Sequence, residues 1–163
     1  MIRFAKLTDY GLVLMAVMAR DGAASTHTAR DLASASRLPL PTVSKVLKQL
    51  LQSGLLVSHR GTKGGYGLAK VPAEISVADI VTAMEGPIAL TECSTDTTGL
   101  CDLERSCPTK ANQRVITEVM RAALEKVALA DLARPMATTQ LIAIQDSHGK
   151  YVSGIVPTSG RVQ

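Results

Sequence analysis

Apolar positions in the first half of the chain recur at helical spacing in short, punctuated runs. Leu7, Gly11, Leu14, Met15 and Met18 share one face of a helix of about three turns, with Thr8 or Asp9 as candidate caps. After a break over 21–25 comes THTARDLASASRL. Here Thr28 can cap a second helix, Ala29, Leu32 and Ala33 lie on one face, and Leu38-Pro39 stops it. A third helix begins near Pro41, since a proline in the first turn forfeits only an N–H that has no partner there. Its buried stripe is Val43, Val46, Leu47, Leu50 and Leu51, while Thr42, Ser44, Lys45, Lys48 and Gln49 lie off it. Two strand-like segments, 55–57 and 66–68, flank SHRGTKGG, and SVADIVTAMEG then predicts a fourth helix opened by Ser76 and closed by Gly86-Pro87.

Two short helices, a tight turn and an outward face of hydroxyls, amide and lysines predict a helix-turn-helix. Such a face alone is also what an ordinary solvated helix pair shows. The basic hairpin behind it changes the balance. Gly61, Gly64 and Gly65 permit positive φ and close backbone approach, and His59, Arg60 and Lys63 supply donors, as the wing of a winged helix requires. A nucleotide-phosphate loop is the rival reading, but neither GxxxxGK[ST] nor GxGxxG is present.

Charge placement agrees with a DNA-facing first half. Residues 1–90 carry ten Lys/Arg against six Asp/Glu, and residues 91–163 carry eight against eight, so the net charge of +4 resides entirely in the first half. Aromatics number four, Phe4, Tyr10, Tyr66 and Tyr151, so the core must be aliphatic and base stacking on single strands is disfavoured. Arg3 and Lys6 precede the apolar run 12–19, but Asp9 interrupts the pattern, and the run is short and lacks a small-residue cleavage site. No secretory leader or membrane span is therefore expected. An odd cysteine count fits the cytoplasm.

All three cysteines, Cys93, Cys101 and Cys107, fall in the polar stretch TECSTDTTGLCDLERSCP at 91–108. Structural cysteines belong on apolar faces, so incidental burial is a poor account of them. A redox switch needs one activated thiolate and a resolving partner, which any pair here supplies. Zinc favours CxxC pairs or nearby histidines, which are missing, and an iron–sulfur cluster accepts thiolates at wider spacing. Spacing alone leaves these readings open. Past the loop, Val115, Ile116, Val119, Met120, Ala123, Leu124 and Val127 form an apolar stripe. A helix bearing it on a small domain predicts pairing with its copy in a second subunit, the rival being packing on its own domain. From 134 onward Thr, Ser, Gly and Pro predominate, with weak β character at 141–144 and 151–156, so a flexible tail is expected. No catalytic constellation is evident, and an enzyme is not expected.

KLTDYGL, ARDLA, LPLPTVSKVLKQLLQSGLLVSHRGTKGGYGLAK, ISVADIVTAMEGP and the three-cysteine loop together resemble the IscR and NsrR family of bacterial regulators. The IALTEC segment and the wing are most similar to the branch that regulates SUF iron–sulfur cluster assembly. The resemblance covers about residues 1–132. It implies a dimeric winged-helix regulator carrying an iron–sulfur cluster, 2Fe–2S or 4Fe–4S, on Cys93, Cys101 and Cys107. IscR-type members place a histidine ligand three residues after the last cysteine, where this chain has Lys110, and a protonated ammonium cannot ligate. NsrR-type members draw an aspartate from a TDY motif of the other subunit, and Thr8-Asp9-Tyr10 matches it. Asp9 is therefore the candidate fourth ligand. A helix N-terminal carboxylate is its plainer role, and Glu92, Asp102 and Glu104 are alternatives nearer in sequence.

The expected architecture is mainly α: a winged helix-turn-helix with a β-hairpin wing plus a long C-terminal dimerisation helix. Expected boundaries are 1–87 for the DNA-binding domain, 88–108 for the cluster-binding loop, 109–133 for the dimerisation helix and 134–163 for the tail. Candidate DNA contacts are Thr28, Pro41, Thr42, Ser44, Lys45, Lys48, Gln49, His59, Arg60 and Lys63, addressing a near-palindromic double-stranded operator. Neither a membrane nor a small-molecule substrate is an expected partner. A cluster-free thiol redox switch and a nitric-oxide-responsive repressor of the same fold are the alternatives in function.

Overall fold

A computed structural model of the chain describes residues 3–22, 24–61, 64–94, 99, 101–103 and 105–134, apart from the side chain of Cys93. Six helices and one hairpin follow in order: α1 (Lys6–Arg20), α2 (Ala29–Ser36), α3 (Leu40–Gln52), β1 (Leu56–His59), β2 (Gly65–Leu68), α4 (Val77–Glu85), α5 (Lys110–Glu125) and α6 (Leu129–Leu132). The architecture is a mainly α winged helix-turn-helix with an antiparallel wing and a long C-terminal helix, as the apolar spacing predicts.

Local chemistry places most helix ends. Thr28 accepts from the Asp31 N–H while the Asp31 carboxylate accepts from the Thr28 N–H, so α2 opens on a reciprocal cap. Ser76 and Asp79 do the same for α4, and Gly86 at φ 91° closes it. The α1 terminus departs from expectation. Neither Thr8 nor Asp9 caps it; instead Glu85, at the far end of α4, accepts from the Ala5 N–H at 2.7 Å and the Thr8 hydroxyl at 2.6 Å. Thr8 is fully buried, and its hydroxyl needs that carboxylate.

The wing pairs Leu56 with Leu68 through His59 with Gly65. A backbone bridge between His27 and Tyr66 stitches the hairpin to the segment before α2, with N–H···O distances of 2.9 and 2.8 Å. A Cβ on Gly65 would stand 2.5 Å from the His27 carbonyl oxygen, so only glycine allows this approach. The core is aliphatic, as the scarcity of aromatics requires. It gathers Leu14, Met15 and Met18 of α1, Leu32, four residues of the α3 stripe, Leu56, Leu68, Ile75, Ile80 and Met84.

One member of that core comes from beyond the long C-terminal helix. The helix expected over 109–133 stops at Glu125, and 127–129 runs against the segment leading into α4. Val77 N–H donates to the Val127 carbonyl at 2.8 Å, and Leu129 N–H to the Ile75 carbonyl at 2.7 Å. Leu129 is fully buried there and α6 rests on α1, so residues 127–132 complete the winged-helix core. Leu129→Ala therefore lowers unfolding free energy by about 2–5 kcal/mol, read by urea denaturation. A loss under about 0.5 kcal/mol would show that the core does not depend on α6.

Candidate nucleic-acid interface and cysteine loop

α3 presents two unlike faces. Val43, Val46, Leu47 and Leu50 are completely buried, while Pro41, Ser44, Lys45 and Lys48 are exposed and Thr42 is half-buried. The exposed set is the part of the predicted contact surface that remains free to meet a groove. Gln49 does not belong to it. Its side-chain amide donates to the last carbonyls of α4, Met84 at 2.8 Å and Ala83 at 3.3 Å. The physical reason is register: position 49 lies where α3 crosses the open C-terminal turn of α4, whose carbonyls lack helical partners.

Thr28 stands exposed at the start of α2 with its hydroxyl committed to the cap. Hydrogen bonds from the Thr28 hydroxyl and then its backbone N–H hold the Asp31 carboxyl below its ordinary 3.8. A depressed carboxylate stabilises the fold above the unfolded value and loses that contribution as pH falls through the lower, folded one. The cap of α2 is therefore intact at neutral pH. On the wing, His59 and Arg60 are exposed at the end of β1, and Lys63 lies outside the described residues. Two further exposed cations were passed over by the stripe-based reading of α3, because they sit on α2 and on the turn: Arg30 and Arg37.

The cysteine loop leaves α4 at Gly86. Ser94 closes a short turn with Thr91, and the Leu90 N–H donates to the buried Thr117 hydroxyl of α5 at 3.2 Å, so the first residues of the loop are fastened to α5. Cys101 and Cys107 are both half-buried, and the Cys107 sulfur lies 3.4 Å from the Thr109 hydroxyl just ahead of α5. The side chain of Cys93 is not among those described, nor is Glu104. Asp9 is exposed on the first turn of α1, beside the Thr8–Glu85 contact, and Glu92 and Asp102 are also exposed. Lys110 begins α5. Among the described residues no three His, Cys, Asp or Glu side chains stand close enough to hold a metal ion.

α5 divides its apolar stripe. Met120 and Leu124 are half-buried against the body, whereas Val115, Ile116 and Val119 are 62, 45 and 61 % exposed. That is an uncovered apolar strip on a helix whose other side is already packed. Among the described residues no helix is long and apolar enough to cross a membrane.

A helix-turn-helix with an exposed polar recognition face and a basic hairpin behind it defines the winged-helix class of DNA-binding proteins. Within that class the chain belongs to the Rrf2 family, described as iron-dependent transcriptional regulators, whose model matches residues 4–135. It is a transcriptional regulator and not an enzyme. A candidate HTH-type transcriptional regulator of Mycobacterium tuberculosis is 35% identical over 135 residues, 81% of each chain. The HTH-type transcriptional regulator NsrR of Shouchella clausii is 29% identical over 124 residues, 76% of this chain and 81% of that one. Among solved structures, CymR, the global cysteine regulator of Bacillus subtilis, superposes with a TM-score of 0.64 at 26% identity, covering 82% of this chain and 97% of that one. The oxidized form of Staphylococcus aureus CymR gives 0.61 at 25% identity, covering 84% and 100%. These relatives do not single out a branch devoted to SUF regulation.

Arg60→Ala is expected to weaken binding to all duplexes alike and to flatten the slope of log affinity against log salt by about 0.9. Gln49→Met, by contrast, leaves that slope unchanged. Both are read by fluorescence anisotropy over a salt series, and a loss of affinity at unchanged slope in the glutamine variant would put Gln49 back at the interface.

Proposed function

We propose that this chain acts as a homodimeric regulator whose hold on DNA is set by its cysteine loop, with Cys93, Cys101 and Cys107 binding an iron–sulfur cluster. The observation that carries the proposal is the position of Cys101 and Cys107. They are half-buried cysteines in a polar loop between the DNA reader and a helix with an uncovered apolar strip. The donor set fits such a cluster chemically: three thiolates, no histidine in the loop, and carboxylates available as a fourth ligand. The family's description as iron-dependent supports the same reading. Asp9, reaching from the second subunit, is the proposed fourth ligand. When bound, the cluster supplies a centre sensitive to oxidants and to iron supply. Genes of SUF cluster assembly are the proposed targets, on the likeness of the wing and the IALTEC segment.

The chain's own residues provide the route from loop to reader. The loop begins at Gly86, directly after Glu85, which holds the N-terminus of α1. One and two residues earlier, the Met84 and Ala83 carbonyls hold Gln49 of the recognition helix. A loop that changes its hold on Gly86 therefore acts on both helices through three hydrogen-bonded residues. Two such readers on a two-fold axis address a near-palindromic operator, with half-sites about one helical turn apart.

A second reading has its own support. The likeness to CymR, including an oxidized form, favours a cluster-free switch in which the thiols themselves are oxidised, and in the structural comparisons it is the better supported of the two. Oxygen-free purification separates them. Cys101→Ala is expected to abolish visible absorption and acid-labile sulfide while leaving a folded dimer. Wild type that takes up neither iron nor sulfide on reconstitution, yet changes DNA affinity on treatment with peroxide, would establish the thiol switch instead. The dimer is tested separately. Val119→Glu places a charge on the exposed strip of α5 and is expected to yield monomers in sedimentation; an unchanged dimer would locate the interface elsewhere.

A further inference from the structure

Arg37 ends α2 in the left-handed region at φ 56°, the only non-glycine with positive φ among the described residues. There a Cβ crowds the following carbonyl oxygen, and chains ordinarily place glycine at such helix ends. This chain does so after three of its other helices: Gly22 follows α1, Gly54 follows α3 and Gly86 closes α4, all at positive φ, while α5 and α6 end on residues with ordinary negative φ. Among the described residues the turn between α2 and α3 alone keeps a side chain at positive φ, and a long charged one. Nothing in the fold explains it. Arg37 is exposed, and its guanidinium makes no hydrogen bond, ion pair or ring contact with any described residue.

We propose that Arg37 is a phosphate clamp, an arginine kept in an unfavourable backbone conformation because its guanidinium grips the DNA backbone beside the groove that α3 enters. In a docked helix-turn-helix the first helix crosses the backbone and the second lies in the groove. The turn joining them, 37–39, therefore passes over the groove's edge, where the phosphates are. The unit from 28 to 52 carries Arg30, Arg37, Lys45 and Lys48 against one carboxylate, Asp31, and that one is occupied by the α2 cap. A guanidinium fork fits two phosphate oxygens at once, which a lysine at this position cannot match. A phosphate contact carries no sequence information, so the clamp adds affinity and fixes register on any duplex. It rests on the winged-helix mode of DNA binding and is independent of what the cysteine loop holds.

The clamp predicts opposite signs for stability and binding in one variant. Full-length wild type, Arg37→Gly and Arg37→Lys are compared by thermal unfolding and by anisotropy on a fluorescein-labelled, mixed-sequence duplex over a KCl series. Arg37→Gly should raise Tm by about 2–4 °C. It should also weaken binding about tenfold at low salt and reduce the salt slope by about 0.9. Arg37→Lys should keep the wild-type slope and gain no stability. Unchanged affinity and slope in Arg37→Gly would overturn the clamp, as would a lowered Tm, which would make Arg37 a residue of the fold. Wild type with no affinity for duplex at low salt would defeat the DNA-binding mode itself, and the clamp with it.

Discussion

The C-terminal turn of α4 is the point on which the rest of the molecule is hung. A helix that ends leaves its last carbonyls without partners and collects negative charge there. This chain uses both properties. The Ala83 and Met84 carbonyls receive the Gln49 amide of the recognition helix, and the Glu85 carboxylate, one residue on, receives the N–H and hydroxyl groups at the start of α1. The positive end of α1 thus meets a full negative charge, and the buried Thr8 hydroxyl is satisfied. Met84 also lies against Gly11, where a Cβ would approach its side chain to 3.1 Å, so α1 and α4 pack closely at the same level. Gly86 then turns the chain out into the cysteine loop. The end of one short helix therefore joins reader, first helix and loop.

That arrangement bears on how a regulator of this size can respond at all. Aliphatic cores are close-packed and transmit displacement only through groups that touch. From the loop, one chain of contacts to the recognition helix runs back along the α4 end to the hydrogen bonds at residues 83 and 84, and these are directional and few. The same end of the loop is fastened to α5 through Leu90 and Thr117. α5 is packed on one side and bare on the other, so anything that orders the loop also bears on the helix proposed to pair two subunits. The return of 127–132 to the α1–α4 core holds the base of α5 to the reader.

Much of this was legible in the sequence because it depends on neighbours along the chain. Helical spacing located α1 to α4. Thr28 and Ser76 marked two helix starts, Gly86-Pro87 marked an end, and SHRGTKGG marked the wing. The cap of α1 was not legible, because Glu85 is eighty residues from Ala5 and nothing local pairs them. The tie from the Gln49 amide to α4 was not legible for a related reason. A polar residue off the apolar stripe reads as solvent-facing unless one knows that a neighbouring helix ends above it. Residues 109–133 read as one helix since periodicity reports which side is apolar, not where the backbone bends to complete a core. Arg37 left no trace, because an arginine beside a proline-bounded turn is ordinary until its φ is known.

By itself, then, the sequence determined the winged-helix class, the aliphatic core, the basic first half and the three clustered thiols. These follow from composition and short-range pattern, where each residue's chemistry acts within a turn or two. Only the tertiary structure decided which polar groups are already taken, that Leu129 belongs to the reader's core, and which half of the α5 stripe is left uncovered. Those outcomes depend on contacts between residues distant in sequence, and a hydrogen bond formed across such a distance has no signature in either partner's neighbourhood.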